Sequence, residues 1–365
     1  MPLARPRRLL FLLALCATLT GLASAAPEPL PALNIDIKET SVSGLSSGAF
    51  MSVQFQVAYS SIVKGAGIVA GGPYFCSQGS TLRATMQCSC TLDPTHTMCT
   101  VSATSTDVPT LVGDTKQFAA KKLIDDPANL ARQRVFILAG NKDQTVPAPV
   151  ATQLADYYAK LAVPAANLSS VRLSNAAHTM PTLDYGKGCD KEETPYLGKC
   201  QYDAAKAILS WIYGPLKDPL PGKATGRFVQ FDQTPFLPQN GYAWSSGLDS
   251  SGWAYIPAAC AKGEACRLHI ALHGCTQGQS YLPLTPPPGG GLYYGTTYVR
   301  NAGYDRWADN NHIVVLYPQA VTIPGKNPNG CWDWWGYTDE NFATNKGVQL
   351  SAIRAMVGKI TSGKR

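Results

Sequence analysis

The chain has 365 residues, 45% hydrophobic and 15% charged, with 33 Gly and 27 Pro that follow no period. That composition excludes disorder as the main state, and with it collagen and coiled coil. The net charge of +7 is mild and scattered, so nucleic-acid binding has little support.

Arg5, Arg7 and Arg8 precede a short apolar run at 9–15, and Ala23-Ser24-Ala25 closes it. A charged start, a brief apolar core and an A-x-A site make a secretory signal peptide over 1–25. The run is too short for a membrane anchor, and no later stretch is long and apolar enough to span a bilayer. Cys16 follows the bulky Leu15, which does not suit a lipobox. The mature chain, 26–365, reads as one domain exported to the periplasm or the medium.

β-Branched runs at 41–43, 67–70, 134–139 and 171–173 predict strands, followed by 227–231, 253–256, 268–272 and 312–317. Amphipathic stretches at 48–61, 148–160, 201–213 and 346–360 predict helices. Apolar strands alternating with helices point to an α/β fold with a mostly parallel sheet flanked by helices. No helix separates 227–231 from 253–256, so these two read as an antiparallel meander. Segments 214–222 and 281–292 are Pro/Gly-rich loops.

Without Cys16, ten cysteines remain, an even count that in an exported chain reads as disulfides. Short loops suggest Cys189–Cys200 and Cys260–Cys266. Cys76, Cys88, Cys90 and Cys99 pair among themselves, which leaves Cys275 for Cys331. A zinc site from Cys88, Cys90, His96 and Cys99 is the alternative for that cluster, disfavoured by an oxidising compartment.

Gly44-Leu45-Ser46-Ser47-Gly48 follows the first strand and opens a helix. This is the G-x-S-x-G nucleophile elbow in its strand–turn–helix setting, with Ser46 as nucleophile. A serine needs a base. Of the five histidines, His269 and His312 lie in strands, His96 sits among cysteines, and His273 precedes a glycine at a strand end, where its backbone matters more than its ring. His178, in a loop after the strand at 171–173, remains. The acid comes from the loop after 134–139, where Asp143 would fix the tautomer of His178. Asp156, Asp184 and Asp190 are rivals remote from strand ends.

In the ordinary α/β-hydrolase order, a strand ending in His-Gly precedes the nucleophile. Here Leu272-His273-Gly274-Cys275 comes well after it, and the helix at 346–360 has no strand to follow. Rotating the chain joins that helix to the strand carrying Ser46. The fold is therefore expected to be a circularly permuted α/β-hydrolase, disulfide-stapled, with the N–H groups of Ser47 and Cys275 as its oxyanion hole.

Gly-Leu-Ser-Ser-Gly-Ala-Phe-Met at 44–51, Gly-Asn-Lys-Asp at 140–143, Ala-Ala-His at 176–178, Leu-His-Gly-Cys at 272–275 and the Cys-Trp-Asp-Trp-Trp segment at 331–335 occur together. This set resembles the poly(3-hydroxybutyrate) depolymerases with a permuted catalytic domain, over nearly all of the mature chain. The resemblance implies the triad Ser46, Asp143 and His178, the donors Ser47 and Cys275, and a crevice lined by tryptophan from 332–335. Trp332, Trp334, Trp335, Tyr74 and Phe75 offer flat apolar surface to a methyl-bearing polyester or its oligomers. The chemistry asks for no metal or cofactor. Many secreted members append a polymer-binding domain, and none precedes Arg365, which implies amorphous polymer or short oligomers as substrate. A carbohydrate or feruloyl esterase with the same triad is the alternative.

Overall fold

The computed structural model describes Met1 and residues 26–92, 98–99, 101–221, 224–238, 243–288 and 290–364. The leader expected over 1–25 and His96 of the zinc alternative fall outside the described residues.

Eleven strands are present among the described residues: β1 Ile35–Leu45, β2 Val63–Val69, β3 Arg134–Gly140, β4 Leu168–Leu173, β5 Met180–Thr182, β6 Lys187–Gly188, β7 Leu197–Lys199, β8 Arg227–Asp232, β9 Ser251–Ile256, β10 Cys266–Leu272 and β11 Ile313–Tyr317. The helices are α1 Ser47–Ala58, α2 Thr81–Met86, α3 Val108–Ala120, α4 Ala148–Lys160, α5 Ala204–Tyr213, α6 Ala258–Ala261, α7 Thr297–Asn301, α8 Tyr304–Ala308 and α9 Val348–Ile360.

Eight strands form one sheet in the order β4-β3-β2-β1-β10-β11-β9-β8. β1 is parallel to both β2 and β10, and β9 runs antiparallel to β8 and β11. The expected meander is therefore β8–β9. β5, β6 and β7 make a small second sheet that the sequence reading does not anticipate. Strands of two or three residues among Gly, Pro and a disulfide carry too little apolar alternation to read.

β1 lies where the two halves of the chain meet. β2, β3 and β4 extend the sheet on one side and the later strands on the other. The C-terminal helix leads back to it: the Leu33 N–H donates to Ile360 O at 2.8 Å, and Lys364 pairs with Asp36 at 2.6 Å. This adjacency of early and late chain is what a circular permutation produces, and the fold is that of a permuted α/β-hydrolase.

Side chains alternate along β1. Ser41 and Ser43 face α5 and α8, bonding the hydroxyls of Tyr213 and Tyr304. Gly44 faces α1, against the backbone of Gly48. Helices thus cover both faces, and the central parallel strands are largely buried on both; all five residues of β11 are buried, whereas the edge strand β4 is only partly so.

The 48–61 stretch was expected to be amphipathic, yet every residue of α1 is buried. Its polar members have internal partners: Gln54 Nε2 donates to Asp333 O, and Gln56 Nε2 to Gln133 Oε1. Full burial of Phe55 and Val57 adds about 1.5–3 kcal/mol each. α3 escapes the pattern reading because it contains Pro109 and Gly113. Pro sits in its first turn, where no N–H is needed, and Asp107 caps it.

Five disulfides join Cys76–Cys88, Cys90–Cys99, Cys189–Cys200, Cys260–Cys266 and Cys275–Cys331. With Cys88, Cys90 and Cys99 so occupied, the zinc alternative loses its thiolates.

Candidate active site

Ser46 lies at the carboxyl end of β1 with φ 57° and ψ −123°. This left-handed backbone costs a non-glycine residue about 1–3 kcal/mol and persists because its surroundings enforce it. The Ser46 N–H donates to Val69 O at the end of β2, and Ser46 O accepts the N–H groups of Ala49 and Phe50 as α1 begins. A Cβ on Gly44 would meet Gly48 C at 2.3 Å, and one on Gly48 would meet the carbonyls of Leu272 and His273 at 2.4 Å. The elbow is thus pressed against the end of β10, which only glycine allows.

The loops after β3 and β4 are equally close. A Cβ on Gly140 would meet Ala176 O at 2.2 Å, and Ala176 O accepts the Lys142 N–H. That approach brings His178 Nδ1 to 2.9 Å from Asp143 Oδ2. Asp143 Oδ1 accepts the Val146 N–H at 2.7 Å. Both side chains are nearly sealed from solvent. Burial by itself pushes the His178 pKa down. The Asp143 charge and hydrogen bond, with the charge of Glu192, outweigh it, and the net direction is upward. Burial pushes the Asp143 carboxyl up, against the pull of His178.

Ser46 and His178 line one cavity of about 920 Å³, together with Gly274, Cys275, Trp334 and Trp335. Among the described residues no hydrogen bond joins the Ser46 hydroxyl to His178. Contacts of this kind commonly tighten when substrate enters. Nδ1 is held by Asp143, so Nε2 is the ring nitrogen left for Ser46. Ser47 opens α1, and its N–H sits at the positive end of that helix. Among the described residues, no protein acceptor takes the N–H of Ser47 or of Cys275.

The loop of Cys275 is fixed from several sides. The His273 imidazole bonds Gly274 O through Nδ1 at 2.7 Å and accepts the Ala320 N–H at Nε2. Gln277 Oε1 accepts the Gly274 N–H at 2.6 Å, while its Nε2 donates to Pro195 O. The His273 ring therefore matters as well as its backbone, contrary to expectation.

The aromatic residues divide. Trp334 stacks on Phe50 with centroids 4.0 Å apart, and Trp335 meets Trp334 edge-on at 5.8 Å; both line the cavity. Trp332 does not. It is fully buried, its indole N–H donates to His273 O at 2.9 Å, and its backbone N–H donates to Ser47 Oγ. Tyr74 is also fully buried, with its hydroxyl on Ala343 O, and Phe75 packs on Phe118 and Phe342. Trp332 and Tyr74, expected to face substrate, are instead enclosed by distant segments, and the half-buried Phe75 is turned onto Phe118 and Phe342 and does not line the cavity. Asp333 folds the tryptophan loop by accepting the N–H groups of Gly336, Tyr337 and Thr338.

Sequence reasoning missed Glu192, Tyr196 and Gln277. Tyr196 places its ring edge-on to His178, centroids 6.0 Å apart. The one available signal was position: Glu192 and Tyr196 sit inside the Cys189–Cys200 loop that follows His178.

No family model matches the chain. A poly(3-hydroxybutyrate) depolymerase of Delftia acidovorans is 41% identical over 96% of the chain, which spans 65% of that protein's length. A polyhydroxybutyrate depolymerase of Talaromyces funiculosus is 35% identical, covering 94% of the chain and 95% of that protein. Two solved structures are similar at 34% identity, covering 92% of this chain and 100% of theirs. One is a PHB depolymerase serine-to-alanine variant complexed with an R3HB trimer, at a TM-score of 0.80. The other is PHB depolymerase from Penicillium funiculosum, at 0.78. On this likeness in sequence and fold, the chain belongs to the poly(3-hydroxybutyrate) depolymerase family.

Proposed function

We propose that the protein is a serine carboxylic-ester hydrolase that cleaves poly(3-hydroxybutyrate) or its oligomers through an acyl-enzyme. The observation that carries this reading is the Asp143–His178 contact of 2.9 Å beside a strained Ser46, in one cavity walled by Trp334 and Trp335.

Ser46 attacks the ester carbonyl while His178 Nε2 takes its proton, and Asp143 stabilises the imidazolium. The N–H groups of Ser47 and Cys275 receive the oxyanion. The imidazolium returns the proton to the departing alcohol, and an ester to Ser46 remains. Water, deprotonated by His178, attacks that ester and releases a hydroxy acid or oligomer. Trp334 and Trp335 give the methyl-bearing chain an apolar wall.

The relatives' names favour this substrate over acetylated or feruloylated sugars. The reading extends to one catalytic domain over 26–365, exported after removal of 1–25, and acting on amorphous polymer or oligomers. Five disulfides support an oxidising destination. No helix among the described residues is long and apolar enough to cross a membrane. Product analysis on amorphous poly(3-hydroxybutyrate), with Ser46→Ala as control, tests the proposal. Hydroxybutyrate products from the wild type alone are expected, and equal release by the variant would defeat it. Faster attack on crystalline film than on amorphous granules would defeat the polymer preference.

A further inference from the structure

The loop closed by Cys189–Cys200 does more than cover His178. Glu192 Oε1 accepts the Gln144 N–H at 2.5 Å and the His178 N–H at 3.2 Å, and its Oε2 accepts from Thr145 Oγ1 at 2.8 Å. Gln144 and Thr145 directly follow Asp143. One carboxylate therefore holds the backbone of the acid's loop and the backbone of the base. A further bond, from the Ala177 N–H to Cys189 O at 2.8 Å, docks the same loop beside His178.

We propose that Glu192 is a positioning residue of this site. Its carboxylate clamps the segment after Asp143 to His178 and sets a second negative charge beside the imidazole. The inference rests on the triad reading above and deepens it. Asp143 and His178 sit on two loops that Lys142 N–H already ties together at Ala176 O, upstream of both side chains, and their 2.9 Å contact tolerates little further drift. Three charge-assisted bonds across both loops restrict that motion. Around the ring stand Asp143 on Nδ1, Tyr196 edge-on and the charge of Glu192, while Ser46 lines the same cavity. Glu193 turns to Lys187 instead, at 3.5 Å. The Glu192 charge favours imidazolium, raising the His178 pKa, and it also raises that of Asp143.

Glu192→Ala and Glu192→Gln in the full chain, assayed on a soluble 3-hydroxybutyrate oligomer across pH, test this. For E192A, kcat is expected to fall about ten- to a hundredfold with KM little changed, because geometry and not binding is lost. E192Q keeps an uncharged acceptor of similar size. Its kcat should fall less, and the acid limb of kcat/KM should move to lower pH, since neutral His178 is the base and loses a neighbour that favoured its charged form. A merely structural residue would not move that limb. An acid limb for E192Q that coincides with the wild type overturns the proposal, and E192Q decides the matter even where E192A does not fold. Asp143→Asn separates the two readings. Full activity in that variant would sink the triad itself, whereas an inactive Asp143→Asn beside an unmoved E192Q limb sinks only the role of Glu192.

Discussion

Two serine–histidine arrangements lie along β1 and at its carboxyl end, and only one has the parts that the proposed catalysis needs. Beneath the elbow, His269 bonds Ser41 Oγ at 2.6 Å through Nδ1 and Ser43 Oγ at 2.7 Å through Nε2. These serines also reach the hydroxyls of Tyr213 and Tyr304. The network lies between the sheet and its helices, and among the described residues no carboxylate hydrogen-bonds to it. Burial pushes the His269 pKa down to about 3, so the ring stays neutral. At the carboxyl edge, His178 is almost as buried, yet Asp143 shifts it the opposite way. A short Ser–His contact is therefore not a signature of catalysis. The acid behind the ring, a hydroxyl on a strained turn and an open cavity distinguish the pair proposed to do the chemistry.

Breaking the upper site should have the largest effects. Ser46→Ala is expected to abolish ester turnover while thermal unfolding still shows a folded chain; residual wild-type turnover would end the comparison. Asp143→Asn should lower kcat by about 10⁴-fold, the size of loss seen when an orienting carboxylate is removed from such a triad.

Breaking the lower network should do the reverse. His269→Ala takes one of two partners from each of the buried Ser41 and Ser43 hydroxyls and is expected to cost about 1–3 kcal/mol in denaturant unfolding, with kcat of the folded fraction preserved. A collapse of kcat would show that the buried pair shares in the chemistry.

Acid separates the two rings by sign. Turnover should fall as pH drops through the raised His178 pKa, because the protonated ring is no base. Stability gained from the His178–Asp143 pairing is fully present below the ordinary histidine pKa of 6.5 and is lost as pH rises through the raised folded value. His269 works the other way. Below pH 6.5 the unfolded chain takes up a proton that the folded chain refuses until about pH 3, so acid removes stability across that window. Unfolding curves from pH 7 to 4 for wild type and a His269→Phe variant should converge, and a constant gap would contradict this. The smallest effect is expected from Trp335→Ala, a severalfold rise in KM for oligomers with kcat held, since one aromatic face is worth about 0.5–1.5 kcal/mol.

Much of this is legible in the sequence. The elbow around Ser46 is a local pattern of two glycines, a strand and a helix start. The order of the loops carrying Asp143, His178 and Cys275 is a linear property, and it implied a rotated chain. The aromatic wall was not legible in full. Trp332, Trp334 and Trp335 lie within four positions, yet Trp332 is enclosed against His273 while its neighbours line the cavity.

Sequence alone thus determined the strand periodicity, the even cysteine count and the succession of reactive loops, because each is encoded among near neighbours or in chain order. Only the tertiary structure decided which cysteines of the 76–99 cluster pair, which tryptophans meet the cavity, and that Glu192 reaches both Gln144 and His178. Those outcomes depend on segments tens to hundreds of residues apart closing on the same few ångströms, and nothing in a local pattern specifies that distance.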